Sequence, residues 1–423
     1  MLKKILSDTA YYMAGNITVQ IVGLISIVAA MRTLEVSEFG VYSYAVAFVT
    51  FFSFIADGGL SQYVIKEIAQ RPEKAAEIYK NVQGVQLALS IIITLVLIVS
   101  AWSIHTSQEL LIILALGAGA ILTGYVSPVF SALIAQGHKR QILKKDIFVS
   151  FVRLIYVAAF IASGSSLLFF AFGNFVAALA GLAYCLYLQR QSGFSYVFQR
   201  QLSTAAFCSI VFEGLPYSAL MFANVLYNKI DVVMLKYLSG EHEVGLYSGA
   251  TQFIYPFMFV STVLATGLFP HLSKNALNPA QFQEARNKGA AVMACAGFAL
   301  SGFLFLGSGL LFDVMFGGKY DPSIPVYKIL VWYLFVVFSY GAFSNAVVAK
   351  GGVKKILVMT ASMLLLNVVL NLFMIPAWGA VGAAAATLVC EVLILVCVLV
   401  MSFATTGKSG TKEPPEHVIL PVD

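Results

Sequence analysis

Long apolar runs, separated by short polar or charged loops, recur from one end of the chain to the other. A helix crosses the hydrocarbon core of a membrane with about 20 mostly apolar residues. Twelve runs meet that length: 9–31, 41–61, 81–102, 110–134, 147–163, 166–188, 210–234, 245–269, 290–312, 329–349, 356–375 and 379–403. The fifth and sixth are parted only by the polar turn Ser163-Gly164-Ser165-Ser166. A shorter amphipathic segment begins near Leu60, after Gly58-Gly59. The first run follows Met1-Leu2-Lys3-Lys4, a signal-like start. It contains Asn16 and Gln20, however, and ends without a cleavage site, so it reads as an uncleaved span. The pattern predicts an all-α integral membrane protein with twelve transmembrane helices.

Composition agrees with the pattern. Hydrophobic residues make up 60% of the chain and charged residues 11%, against about 25% charged in soluble domains. The net charge of +6 forms no basic face of the kind that binds nucleic acid. It measures topology instead. With a cytoplasmic N-terminus, Arg32, Lys236, Lys319 and Lys328 fall outside and Arg153 and Lys229 fall inside spans, which leaves twenty of the 26 Lys and Arg in cytoplasmic segments. That bias predicts a multi-pass protein of the cell inner membrane with both termini cytoplasmic. The five cysteines and five histidines show neither disulfide nor metal spacing. No His, Cys or acid cluster has catalytic spacing, so a transporter is expected rather than an enzyme.

The chain also repeats itself. Glu38-Phe39-Gly40-Val41-Tyr42-Ser43-Tyr44-Ala45 corresponds to Glu243-Val244-Gly245-Leu246-Tyr247-Ser248-Gly249-Ala250, an offset of 205. Ala135-Gln136-Gly137 followed by Ile142-Leu143 corresponds to Ala349-Lys350-Gly351 followed by Ile356-Leu357, an offset of 214. Two parallel-repeat six-helix lobes, 1–205 and 206–404, are therefore expected around a central cleft, where parallel repeats place a substrate path. A polar tail with Pro414 and Pro415, 405–423, is expected to be disordered. Its Gly407-Lys408-Ser409 imitates part of a phosphate-binding loop, but position 402 is Ser402 and no strand precedes it.

Polar side chains inside spans are the candidate functional groups, because they are costly in hydrocarbon unless they meet water or each other. Asn224, Asn228 and Asp231 share a face of the seventh span, and Asn16 and Gln20 form a similar stripe on its repeat counterpart, the first. Thr50, Ser53 and Asp57 line one side of the second span; Tyr247, Thr251 and Tyr255 line its counterpart. The eleventh span adds Asn367 and Asn371. Such groups either bond helix to helix or line a hydrated lumen, and stripes in both halves favour the lumen. Arg153 and Lys229 are intramembrane cations that either snorkel or meet an anionic ligand. Glu391, in the last span, is either a proton site or a hydrogen-bonded structural acid, and Asp57 either a coupling site or a cap for the segment at Leu60.

Several motifs together resemble one family. Phe39-Gly40-Val41-Tyr42-Ser43-Tyr44-Ala45, Ala56-Asp57-Gly58-Gly59-Leu60 and Lys66-Glu67-Ile68-Ala69 are similar to the first-half signature of polysaccharide-biosynthesis flippases. Ile230-Asp231-Val232-Val233-Met234-Leu235 and Gly245-Leu246-Tyr247-Ser248-Gly249-Ala250 resemble its second-half counterpart, and Pro376-Ala377-Trp378-Gly379-Ala380 the entry to the last helix. The resemblance is to the Wzx-type O-unit flippases of the multidrug/oligosaccharidyl-lipid/polysaccharide exporter superfamily. It implies alternating-access movement of undecaprenyl-pyrophosphate-linked oligosaccharide units from inner to outer leaflet, for O-antigen, lipopolysaccharide or capsule assembly. It further implies a cationic lumen, here Arg153, Lys229 and Arg32, and proton or sodium coupling with no cofactor, for which Asp57 and Glu391 are the candidates. A polysaccharide polymerase and a chain-length regulator are the implied partners. The rival readings are a multidrug/cation antiporter of the same superfamily, a peptidoglycan-precursor flippase with two further helices, and a non-transporting scaffold.

Overall fold

The computed structural model describes residues 2–164, 166–192, 204–275 and 278–406. The expected tail beyond 406 and the side chains of Tyr12 and Tyr217 lie outside the described residues. The regular elements described are all helical: α1 (Leu2–Thr33), α2 (Val36–Asp57), α3 (Leu60–Gln70), α4 (Ala75–Ile104), α5 (Ser107–Ala135), α6 (Lys139–Ser163), α7 (Leu167–Ser192) and α8 (Thr204–Ser239). They continue with α9 (Glu241–Thr251), α10 (Tyr255–Lys274), α11 (Pro279–Leu306), α12 (Ser308–Phe316), α13 (Ile324–Ala349) and α14 (Val353–Thr406). Contacts group the chain into two compact units, Met1–Leu226 and Tyr227–Asp423.

Among the described residues, ten helices are long and apolar enough to cross a membrane. Their outer faces carry Trp102, Phe303, Leu306 and Phe373, each more than 70% exposed. Apolar surface on that scale needs lipid rather than water around it. The amphipathic segment at Leu60 is α3, whose Leu60, Val64 and Ile68 pack against Tyr79 and Val82 of α4 and Val126 and Val129 of α5.

Most expected spans lie inside single helices, but 41–61 overruns the end of α2 at Asp57 and two others are broken. The run 245–269 is interrupted between α9 and α10. Pro256 explains the break, because it donates no backbone hydrogen bond and its ring crowds the carbonyl four residues earlier. The run 290–312 stops at Leu306, and α12 starts beyond Gly307. In the other direction, the runs 356–375 and 379–403 form one apolar element, α14, kinked at Gly379 (φ 54°, ψ −131°). That backbone region suits glycine almost alone.

The repeated motifs have repeated local structure. Glu38 and Glu243 are each the third residue of their helices, α2 and α9. At the ends of α5 and α13, Gly137 (φ 78°) and Gly351 (φ 77°) occupy the same left-handed position. His138 donates to the Leu133 carbonyl (2.8 Å) and Gly352 to that of Val347 (2.9 Å), closing two matching Schellman caps. The two glutamates, by contrast, have different tasks. The Glu38 carboxylate accepts from the Glu35 backbone N–H (2.9 Å), a capping box within α2. Glu243 accepts instead from the Ala380 N–H (2.7 Å), capping the second segment of α14 just after Gly379.

Candidate functional site

In the first unit, α2, α5, α6 and α7 surround a cavity of about 720 Å³. One face of α6 supplies Lys145, Val149 and Arg153, spaced at four residues and so stacked turn upon turn. Arg153 donates through a terminal guanidinium nitrogen to Asn174 Oδ1 (3.3 Å), and Asn174 Nδ2 donates to the Tyr42 hydroxyl (3.3 Å). Gly119 of α5 allows this arrangement: a Cβ there would lie 2.8 Å from the backbone of Asn174 and Phe175, so only glycine lets α7 approach so closely. Lys145 Nζ pairs with Asp146 Oδ1 (2.6 Å) and lies 4.7 Å from the centre of the Phe130 ring.

The expected stripe of Thr50, Ser53 and Asp57 on α2 faces the same cavity, joined by Thr123 and Ser127 of α5. Thr50, Ser53 and Thr123 each donate to the carbonyl four residues back (2.6, 2.8 and 2.9 Å), which leaves their oxygen lone pairs as acceptors. Ser61 donates to Asp57 Oδ1 (2.6 Å) and shares a 2.8 Å hydrogen bond with Ser127. Asp57 therefore holds the first turn of α3 through Ser61, while Gly59 occupies the cap position itself.

The second unit buries a polar cluster instead of opening a large cavity. Asp231 is 3% exposed. It accepts from the Tyr247 hydroxyl (2.7 Å), the Asn371 amide (2.6 Å) and the Thr387 hydroxyl (2.8 Å). Asn371 also donates to Asn367 (3.0 Å). The Tyr227 hydroxyl donates to Glu391 (2.9 Å), another buried acid. A void of about 20 Å³ beside Asp231, Tyr247 and Thr251 is of the size that holds one water. Thr251 is buried and donates to the Ser248 carbonyl (3.0 Å). Lys229 lies over the Tyr255 ring, 5.4 Å from its centre, and is only partly buried.

The structure thus brings some expected residues together and leaves others apart. Arg153 and Asp57 line one cavity; Asp231, Tyr247, Thr251 and Asn228 surround the small void. Asn16 (partly buried), Gln20 and Arg32 (both exposed) lie on α1, outside the lining of the larger cavity, and Asn224 is exposed on α8. Lys145, Asn174, Tyr42 and Thr387 were not singled out as site residues by the sequence. Lys145 looked like a loop cation because the apolar run begins at 147, whereas α6 begins at Lys139 and carries Lys145 onto the cavity face. The eight-residue spacing from Lys145 to Arg153, two helical turns, was the available signal.

Apolar helices with exposed apolar faces, two compact units and polar groups collected inside them make up the architecture of a multi-pass membrane protein. Comparison with known proteins gives the family. The family model described as polysaccharide biosynthesis protein matches residues 5–276, and that described as MatE matches 216–373. The chain belongs to the polysaccharide biosynthesis protein family. Among curated proteins, none matches the sequence closely. Its fold is similar to that of an inward-facing multidrug resistance MATE family transporter of the MOP superfamily, with TM-score 0.75, 14% identity, and 93% of this chain and 96% of that one covered. It is also similar to the lipid II flippase MurJ in an inward closed conformation (TM-score 0.69, 12% identity, 95% and 94% covered). A MOP superfamily transporter from Pyrococcus furiosus is a third relative in fold (TM-score 0.65, 13% identity, 95% and 94% covered).

Proposed function

We propose that this protein is a flippase that moves lipid-linked oligosaccharide units, attached through pyrophosphate, from the inner to the outer leaflet for surface polysaccharide assembly. The observation that carries the reading is the cavity of the first unit, where Arg153 and Lys145 stand two turns apart on one helix among hydroxyl and amide groups. A guanidinium fork suits phosphate oxygens, an ammonium adds a point charge, and the hydroxyls suit sugars. Membership of a polysaccharide biosynthesis family supports that substrate class. A polymerase and a chain-length regulator are the partners this role calls for.

Coupling to a proton or sodium ion belongs, in this reading, to the buried acids. Asp231 is enclosed by the Tyr247 and Thr387 hydroxyls and the Asn371 amide nitrogen, which also bonds Asn367 Oδ1, Glu391 is bonded to Tyr227, and Asp57 lies in the anion cavity itself. Asp231 moves from the substrate-contact role to this one because its carboxylate is already enclosed by donors. Those same acids favour the second reading, export of cationic drugs. Deleting the gene separates the two. The expected result is loss of surface polysaccharide, with lipid-linked units accumulating on the inner leaflet. Normal surface polymer combined with new drug sensitivity would replace the flippase by the antiporter.

The proposed orientation, in the inner membrane with both termini cytoplasmic, rests on the Lys and Arg bias of the loops. Reporter fusions after residues 70, 140 and 285 are expected to read cytoplasmic, and those near 105, 240 and 320 external. A cytoplasmic signal at 240 would contradict the two-half topology.

A further inference from the structure

The repeat offsets place the two polar sites in register with each other. At the offset of 205, Tyr42 corresponds to Tyr247 and Ser26 to Asp231; at 214, Arg153 corresponds to Asn367 and Val157 to Asn371. Asn174 is the eighth residue of α7 and Thr387 the eighth after Gly379, so these correspond as well, and with them Ala178 and Glu391. The bonding supports this register independently. Tyr42 is bonded to Asn174, while Tyr247 and Thr387 share Asp231 Oδ2. Arg153 reaches Asn174 from the position that Asn367 holds beside Asn371.

What differs between the copies is charge. Where the second unit has Asp231, gathering three donors, the first has Ser26, buried and bonded to the Val22 carbonyl of its own helix (2.7 Å). Where the second has Glu391, the first has Ala178, which lines the cavity. Where the second has neutral Asn367, the first has Arg153. Two positions run the other way, Asp57 against Thr262 and Leu24 against Lys229. Neither Asp57 nor Lys229 is hydrogen-bonded to the Arg153 or Asp231 sets described above.

We infer that the two units carry two copies of one polar site, and that the exchanges at positions 26, 153 and 178 set the copy in the first unit to accept an anionic group. This rests on the flippase reading and adds its charge-selecting residues. The physical argument is that an acid at 178, on the cavity wall, or at 26, which the register puts beside the Tyr42–Asn174 pair, would pair with Arg153 and satisfy it internally, leaving only Lys145, already paired with Asp146, to meet a phosphate. Ser26 and Ala178 act by withholding charge, and Arg153 supplies it.

The test is thermal unfolding of the purified protein in detergent, titrated with inorganic pyrophosphate. Pyrophosphate is expected to raise the melting temperature of the wild type. Ser26→Asp and Ala178→Glu are each expected to weaken that response at least about tenfold, because like charges set close together are strongly disfavoured. Each variant is expected to melt without ligand at or above the wild-type temperature, since the new acid has Arg153 as partner. A wild type indifferent to pyrophosphate would remove the flippase reading. A responsive wild type with both acid variants within about threefold of it would remove only the present inference. So would variants that fail to fold while Ser26→Asn and Ala178→Gln fold normally, because the acid would then have found no partner. Arg153→Asn keeps the test decisive if no change at 26 or 178 is tolerated: undiminished affinity there overturns the assignment.

Discussion

Arg153→Ala is expected to abolish most export at matched protein level, and Arg153→Lys to retain part of it. Hydrogen bonds to a charged group contribute about 1.5–3 kcal/mol each, about 10- to 150-fold in affinity for one such contact. Lysine keeps the charge but not the planar fork that holds Asn174 and could take a phosphate oxygen as well. Lys229→Ala, in the second unit, is expected to fall to a similar level if its ammonium meets the substrate at another stage of transport. Its place over the Tyr255 ring is held by about 0.5–1 kcal/mol at an exposed site and about 2 kcal/mol when desolvated, which an arriving anion has to exceed to draw it away. Export assays with quantified membrane expression decide the matter. Full activity in both alanine variants would return these residues to the snorkelling reading and remove the anion site from the mechanism.

Asp231→Ala should lower the stability of the protein markedly. Asp231 accepts three interhelical hydrogen bonds, from α9 and from both segments of α14. At the average of about 0.6 kcal/mol measured for such bonds in a membrane protein, their loss removes about 2 kcal/mol. Two buried donors left unpaired, the Tyr247 hydroxyl and one Asn371 N–H, add to that, at about 1–3 kcal/mol for each one that water does not reach, while Thr387 keeps the Ala383 carbonyl (3.0 Å). The neighbouring void is of single-water size and so can satisfy one of them. Asp231→Asn, which keeps a carbonyl oxygen as acceptor, should lose less. The measurement is the melting temperature of each purified variant in detergent. An Asp231→Ala protein that melts with the wild type would mean that the cluster is hydrated and contributes no net stability.

The helical membrane class and the main boundaries were legible because the bilayer makes them local properties. Each spanning segment must satisfy its own backbone hydrogen bonds and present apolar side chains to lipid, so composition in a window of about 20 residues marks it. The loop cations and the repeat could be read for the same reason. Even the matching caps at Gly137 and Gly351 follow from short motifs. The breaks at Pro256 and Gly307 were harder, since their flanks are as apolar as an unbroken span and hydropathy does not register one missing backbone donor.

The site was legible only as stripes. Spacing put Asn228 and Asp231 near one face of a helix and Thr50, Ser53 and Asp57 on one face of another, but it did not say which neighbour each face would meet. That is decided by contacts across long separations in sequence. Asn174 meets Tyr42 across 132 residues, and Asp231 meets Asn371 and Thr387 across 140 and 156. Local features far from those bonds fix them. Gly119 lets α7 lie close enough to hold Asn174 in the cavity, and Gly379 with its Glu243 cap breaks α14 so that Asn371 and Thr387 reach Asp231 from two segments. The sequence by itself determined the helical membrane class, the short repeated motifs and the polar inventory, because lipid solvation and helical period act over a few turns. Which cation stands in a cavity and which acid is enclosed was decided only by tertiary packing, because a side chain's electrostatic surroundings belong to the neighbours that the fold brings to it.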